Sequence, residues 1–252
     1  MALEKINNIS SPEEINSIAY ADIAKLGGID VVHGFFVPSG TPTAWYDASQ
    51  LTGLSDGDPM ATFPDSGPNG YTLVQSTATL KPTYESDGAS LQNGLPVIQM
   101  GYTSGYPLRF EPKAFTLTQP ATIFIVFKPE EWSIGTFVLD GFTVNTILFG
   151  CRTTTPNYAI YAGSGYFCDI EISTNNWHYV TISLNGASSF IRSDGVSSAV
   201  QNAGSSSPNG LTLGGPGNLG TPPKYKLGEI LVYSGTESPT ANEAGLAAKW
   251  GL

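Results

Sequence analysis

The segment WHYVTISL at 177–184 alternates along its length. Trp177, Tyr179, Thr181 and Ser183 fall on one face, and His178, Val180, Ile182 and Leu184 on the other. That period of two predicts a strand, with His178 in its apolar, core-facing row. ATIFIVFK at 121–128 is apolar in both registers and predicts a strand central in a sandwich, covered on both faces. NTILFG, NYAIYA, YFCDIEI, SSFIRS, LTLGG and YKLGEILVY follow the same texture, and clusters of Gly, Pro, Asn or Ser separate most of them. Many short strands with regular turn punctuation predict a β-sandwich or jelly roll.

Both ends depart from this pattern. SPEE at 11–14 has the form of a helix start, with Ser11 as N-cap, Pro12 in the first turn and Glu14 closing a capping box. Ile15, Ile18, Ala19, Ile23 and Leu26 then share one helical stripe, and Gly27-Gly28 ends it. Asp22 interrupts the stripe, which favours two short helices over one. The segment is too short to build a core of its own, so its apolar stripe packs either on a partner, as a docking arm, or on the main domain, as a flap. The docking arm, with Ile15, Ile18, Ile23 and Leu26 as its contact residues, is the preferred reading. At the other end SPTANEAGLAAKWGL predicts a short helix that ends near Gly251. It starts at Ser238 with Pro239, or at Thr240 with Glu243 as a capping box. The predicted organisation is an arm over 1–33, a linker over 34–42 and an all-β domain over 43–252.

Composition supports the β reading: 29 Gly and 18 Pro with 13% charged residues describe strands joined by turns, and 40% hydrophobic residues supply ample core. The formal charge of -10, with basic residues scattered, argues against nucleic acid as a partner, because phosphate binding needs clustered Lys and Arg. No stretch approaches the ~20 apolar residues of a membrane span, so no membrane insertion is expected. MALEKINNIS lacks the basic and apolar regions of a secretory signal, so a complete chain of this sequence would be made in the cytosol without Sec export. Cys151 and Cys168 are too few for a disulfide framework. On predicted strands 145–151 and 166–172, with 157–162 between them, they stand about 9–10 Å apart, too far to bridge.

Candidate chemistry is sparse. GPGNLG at 215–220 matches the dinucleotide glycine motif, but Pro222-Pro223 forbids the helix that motif requires directly after it. Asp169 and Glu171 share one face of a strand, as paired glycosidase carboxylates would, yet solvent-facing positions of an amphipathic strand explain them more simply. His33, His178, Cys151 and Cys168 do not stand at zinc spacing, and SDGD (55–58) and DSGPNG (65–70) read as Asx turns rather than calcium loops. No metal and no cofactor is therefore expected. No G-x-S-x-G elbow occurs, no carboxylate stands near His178 in sequence, and Asp194-Gly195 reads as a turn rather than as a triad member. Aromatic platforms for sugar stacking could come from GYTSGYP (101–107), Trp132, Tyr158, Tyr161 and Tyr166, each of which could equally be core or sheet surface.

Several stretches carry a family likeness. NNWHYVTISLNGASSFIRSDG (175–195) resembles the W-H-x-V strand and Asp-Gly hairpin of concanavalin A-like, laminin-G-like jelly-roll domains. AWYDASQLTGLSDGDPMATFPDSGPNGYTL (44–73) resembles the opening of the bacterial and phage branch of that superfamily. LTLGG, LGEILVYSG and LAAKWGL are similar to its close. The resemblance covers about 43 to 252 and implies two packed antiparallel sheets on a scaffold used for sugar binding, protein binding and sometimes glycan hydrolysis. Hydrolytic relatives carry E-x-D-x-E or E-x-D-x-x-E. Here Phe167 replaces the first carboxylate, and aligning Glu171 as the first puts Ser173 where the aspartate belongs. No catalytic residue is expected, and a glycoside hydrolase is the remotest reading. EKINNIS…INSIAYADIAKLGGID is similar to short I-x-K-I-N-G-V repeats that precede such domains in tailed-phage virion proteins.

The expectation is a non-enzymatic phage virion protein: a capsid decoration, head-fibre or tail-associated surface protein made in the host cytoplasm. Its arm would join other virion proteins, it would be a homo-oligomer on the particle, and its head would be available to cell-surface polysaccharide or to a host surface. A carbohydrate-binding module of a bacterial surface is the alternative.

Overall fold

The computed structural model describes residues 36–103, 105–151, 156–165, 167–215 and 222–252, with the backbone alone at Thr103, Phe167, Cys168 and Asp169. The docking-arm residues Ile15, Ile18, Ile23 and Leu26 lie outside the described residues, as does His33. Phe36–Leu252 forms one compact unit. It is mostly β, with antiparallel sheets and, among the described residues, one α-helix, α1 (Pro239–Trp250), at its C-terminus.

The larger sheet runs, in spatial order, β15 (Val196–Ser197), β14 (Phe190–Ser193), β13 (His178–Leu184), β8 (Ala121–Pro129), β17 (Tyr225–Ser234), β5 (Val97–Thr103) and β4 (Thr83–Glu85). Two further strands join it: β1 (Ala44–Asp47) beside the second half of β17, and β6 (Tyr106–Leu108) beside β5. The smaller sheet runs β12 (Phe167–Glu171), β11 (Asn157–Tyr161), β10 (Leu148–Cys151), β9 (Thr136–Asp140), β16 (Gly210–Leu213) and β7 (Lys113–Ala114). A hairpin pairs β2 (Thr62–Phe63) with β3 (Leu73–Val74). Strand β11 separates β10 from β12 as expected, and Cys151 is a free, buried thiol whose burial pushes its pKa up.

One core fills the space between the two sheets. Ile123, Ile125 and Phe127 of β8 and Val180, Ile182 and Leu184 of β13 meet Phe149, Tyr158 and Ile160 of the smaller sheet, with Phe127 edge-on to both Phe149 and Tyr158. The other face of β8 is equally apolar because helix α1 covers it: Phe124 and Val126 pack with Leu231, Leu246 and Trp250. That second cover explains why ATIFIVFK shows no alternation. Trp177 and Tyr179, on the face of β13 away from the main core, also pack on this cluster, and Trp177 stacks on Trp250 at 6.1 Å.

Local chemistry sets the boundaries of α1. Ser238 is its N-cap, Pro239 opens the first turn, and Gly251 ends it in the left-handed conformation at φ 67. Glu243 does not close a capping box. Its carboxylate is buried and accepts from the Thr181 hydroxyl (2.6 Å) and the Arg192 guanidinium (2.8 Å), so it ties the helix to β13 and β14. Phe36, in the stretch expected as a linker, is buried beside α1. A Cβ on helical Gly245 would lie 2.2 Å from the Phe36 ring, so the glycine makes the space for it. Ser39 continues the attachment: its amide donates to Asn242 Oδ1 (2.7 Å) and its carbonyl accepts from the Tyr233 hydroxyl (2.9 Å).

Strand β17 carries a bulge between Leu227 and Glu229. The register shift turns Glu229 toward α1, directly opposite Asp47 of β1. Two carboxylates facing across a strand pair are destabilising unless a cation intervenes. Lys249 of α1 supplies it, with Nζ 2.6 Å from Asp47 and 2.8 Å from Glu229, and all three side chains are fully buried. The Trp45 and Trp250 indoles donate to Glu229 at 2.7 and 2.8 Å. Gly228, at the bulge, lets the Trp250 ring approach to the point where a Cβ would stand 3.0 Å from it.

Candidate functional site

Buried carboxylates among the described residues are occupied by structural tasks. Asp47 and Glu229 are held by Lys249. Burial, and then the nearby Asp47 charge, raise the Glu229 pKa to about 7. Asp140 is buried and accepts the amides of Gly141 (2.7 Å), Asn145 (2.6 Å) and Ile147 (3.1 Å), which closes the 141–147 loop; desolvation still raises its pKa to about 6. Glu171 is exposed, opposite Asn157 on β11, and the Asp169 side chain lies outside the described residues. Among the described residues no group of three or more His, Cys, Asp or Glu gathers. In the loops suspected of binding calcium, Asp58 accepts the Ser55 amide, while Asp65 accepts those of Trp45, Gly67 and Tyr71. The Asp65–Gly67 bond is the Asx turn expected for DSGPNG, whereas Asp58 closes its loop by accepting from three residues upstream. Gly215 precedes residues outside the described set, and the next described element is a strand, β17.

His178 requires a correction. It lies in the core-facing row and is buried, as the alternation predicted, but a carboxylate does stand beside it: Nδ1 is 2.6 Å from Asp194 Oδ2. Its Nε2 lies 3.2 Å from Ser173 Oγ and 3.0 Å from the Ser173 carbonyl, and Asn176 donates to that hydroxyl at 2.9 Å. Asp194 also accepts the Tyr179 amide at 3.1 Å. The connectivity is that of a Ser-His-Asp set, assembled because the β13–β14 hairpin returns Asp194 to the start of β13. Its geometry is that of a clamp. Nε2 is nearer the carbonyl than the hydroxyl, and the hydroxyl already accepts from Asn176. The imidazole thereby joins the 173–177 turn to the 194–195 turn. Sequence spacing missed the pair because a hairpin, not a motif, creates it.

The aromatic candidates separate by burial. Tyr158 is core, and Trp132 is half-buried and edge-on to it at 5.4 Å. Tyr166 lies outside the described residues. Tyr161 is half-buried on β11, across from Leu148. Tyr102 and Tyr106 are exposed, but the β5–β6 register pairs Tyr102 with Pro107 and Tyr106 with Thr103, so the two rings take opposite faces of the hairpin and form no shared platform.

A cleft of about 360 Å³ opens where β1 ends, within the range of small-ligand sites. Asp47 sets one wall: its Oδ1 accepts the amide and hydroxyl of Ser49 (2.9 and 2.7 Å), which caps the short turn over 48–50 and places Gln50 and Leu51. The opposite wall is residues 59–66. It is held by Met60 donating to the Pro82 carbonyl (2.7 Å) and Ser66 donating to that of Trp45 (2.7 Å). Gln50, Thr52, Thr62 and Ser66 bring amide and hydroxyl groups to the cleft, and Leu51, Leu54 and Met60 supply apolar surface. Among the described residues Asp47 is the one charged side chain in its lining, and its oxygens are already engaged. No pattern in the sequence marked these residues. They lie within the segment that resembles a domain opening, but only the two walls together make a site.

No protein-family model matches the sequence, and no curated protein matches it. Solved structures share its fold. Domain 4 of AbnA, a GH43 extracellular arabinanase from Geobacillus stearothermophilus, solved in complex with arabinotriose, is 15% identical with a TM-score of 0.52, and the match covers 82% of this chain and 100% of that one. A GH54 α-L-arabinofuranosidase soaked with a cyclic sulfate inhibitor is 14% identical with a TM-score of 0.57, over 87% of this chain and 61% of that one. Trypanosoma rangeli sialidase with difluorosialic acid is 10% identical with a TM-score of 0.51, over 84% of this chain and 33% of that one. The match thus spans the whole of the arabinanase domain but a smaller share of the other two. The class so defined is a mostly β, antiparallel domain of the kind found in carbohydrate-active proteins.

Proposed function

We infer that residues 36–252 form a non-catalytic carbohydrate-recognition domain on a concanavalin A-like jelly roll. The observation that carries this reading is the fold correspondence with the whole of one domain, domain 4 of the arabinanase, solved in complex with arabinotriose. The absence of enzyme activity is inferred from the carboxylates. Among the described residues the buried ones are tied to Lys249, to Arg192 or to backbone amides, so none is available as a general acid opposite a second carboxylate. The test is a glycan array probed with the full-length protein, together with reducing-sugar release from the same glycans. Binding without hydrolysis is the expected outcome. Hydrolysis that Glu171→Gln abolishes would reinstate the enzyme, and a blank array would remove carbohydrate recognition.

A second reading concerns the setting, and its support is the sequence alone. The N-terminal resemblance to repeats of tailed-phage virion proteins and the apolar stripe Ile15, Ile18, Ile23 and Leu26 favour an arm that joins this head to a virion as an oligomeric surface protein. Deleting 1–33 is expected to leave a folded head that no longer joins the particle. An undiminished copy number would refute the docking role.

A further inference from the structure

The cleft between residues 47–54 and 59–66 has a lining that specifies a ligand class. We propose that it is a subsite for an uncharged sugar unit of a polysaccharide; this rests on the carbohydrate-recognition reading and assigns its place. Three observations carry it. The hydrogen-bonding side chains along it are neutral: Gln50 presents an amide that can donate and accept, and Thr52, Thr62 and Ser66 present hydroxyls. Among the described residues these four side chains form no hydrogen bond with one another or with other groups, whereas the acidic side chains around them are engaged, Asp47 by Lys249 and Ser49, Asp58 by Ser55 and Asp65 by three amides. Leu51 and Leu54, both partly buried, add apolar surface, backed by the buried Met60. Neutral donors and acceptors around an apolar floor match the hydroxyl rim and C–H face of a sugar ring.

Charge selects within that class. The chain carries a net -10, and among the described residues no lysine or arginine lines the cleft, so a carboxylated or sulfated sugar would meet no counter-charge from them. The volume of about 360 Å³ suits a terminal unit and its neighbour rather than an extended chain. The walls are preorganised. The carboxylate that caps the 48–50 turn is the same one that Lys249 holds, and loop 55–60 is stitched to β4 through Gly57 to the Tyr84 carbonyl (2.8 Å) and Tyr84 to the Asp58 carbonyl (2.9 Å). Little backbone ordering is left for binding to impose.

The test compares the full-length protein with Thr52→Trp, which fills the cleft from an exposed position, and with Gln50→Ala, on an array of neutral and anionic glycans. Tyr106→Ala on the β5–β6 hairpin serves as the control, and matched melting temperatures confirm folding. The expected result is binding to neutral glycans, weakened at least tenfold by Thr52→Trp and about fivefold by Gln50→Ala, with Tyr106→Ala unchanged. Equal binding by wild type and both cleft variants would overturn the cleft while leaving carbohydrate recognition intact. Loss on Tyr106→Ala alone would move the site to the hairpin, and binding confined to anionic glycans would overturn the ligand class. A blank array with the wild type would refute the carbohydrate reading, and the subsite with it.

Discussion

Lys249→Met tests how the helix is held to the larger sheet. The substitution keeps most of the side-chain length and apolar volume, so the packing of α1 changes little. It removes the ammonium that stands 2.6 Å from Asp47 and 2.8 Å from Glu229, in a site with no access to water. Two carboxylates then face each other across the β1–β17 pair, and breaking a buried ion pair by removing one partner costs about 3–5 kcal/mol. The loss depends on pH with a defined sign. Glu229 already has its pKa raised from 4.5 to about 7, so the folded state holds a proton that the unfolded state releases. Stability from this group is therefore fully present below about 4.5 and declines as pH rises through about 7. Removing Lys249 raises the carboxyl further, because its attraction is what favours the charged form. The variant is thus expected to be closest to wild type near pH 5, where a proton bridges the carboxylates, and furthest from it near pH 8. Guanidinium denaturation at both pH values reads this as a shift in midpoint at constant slope. Adding Asp47→Asn is expected to recover at least half of the loss at pH 8, since the amide keeps the Ser49 bond and offers Glu229 a donor. A loss below about 1 kcal/mol at pH 8, or one equal at both pH values, would refute the account of a buried cluster held by one cation.

Three further outcomes follow from other contacts. His178→Ala is expected to cost roughly 1–2 kcal/mol, discounted because Asp194 is 44% exposed, and to accelerate amide exchange at Tyr179, Asp194 and Gly195 together; exchange confined to one turn would disprove the clamp. Asp140→Ala removes the acceptor for three loop amides and is expected to cost about 1–3 kcal/mol, read by thermal melting, with increased proteolysis within 141–147. A fragment starting at residue 43 is expected to be about 2 kcal/mol less stable than one starting at 36, because it lacks Phe36 and the Ser39 bonds; equal denaturation midpoints would show that this stretch is a linker after all.

Much of the scaffold was legible in the sequence because it depends on local rules. The period of two in WHYVTISL put His178, Val180, Ile182 and Leu184 into one row, and three of these four are in the core between the sheets, with His178 buried at its edge. Pro239 and Gly251 bracket α1 because their backbone preferences operate without partners. The meander that separates Cys151 from Cys168 followed from strand lengths and turns. What tertiary structure decided are the pairings between distant positions. Asp47 meets Lys249 across 202 residues, and it meets Glu229 only because a bulge at Gly228 reverses the facing of β17. Glu243 reads locally as a capping residue, yet it bonds Thr181 and Arg192 because the helix lies across β13 and β14. His178 finds Asp194 through a hairpin, and Gln50 and Thr62 line one cleft because residues 47–54 and 59–66 converge there. Periodicity and capping act over a few residues and are written in neighbouring letters. The charge cluster, the imidazole clamp and the cleft arise where separate segments converge, and only the folded chain brings them together.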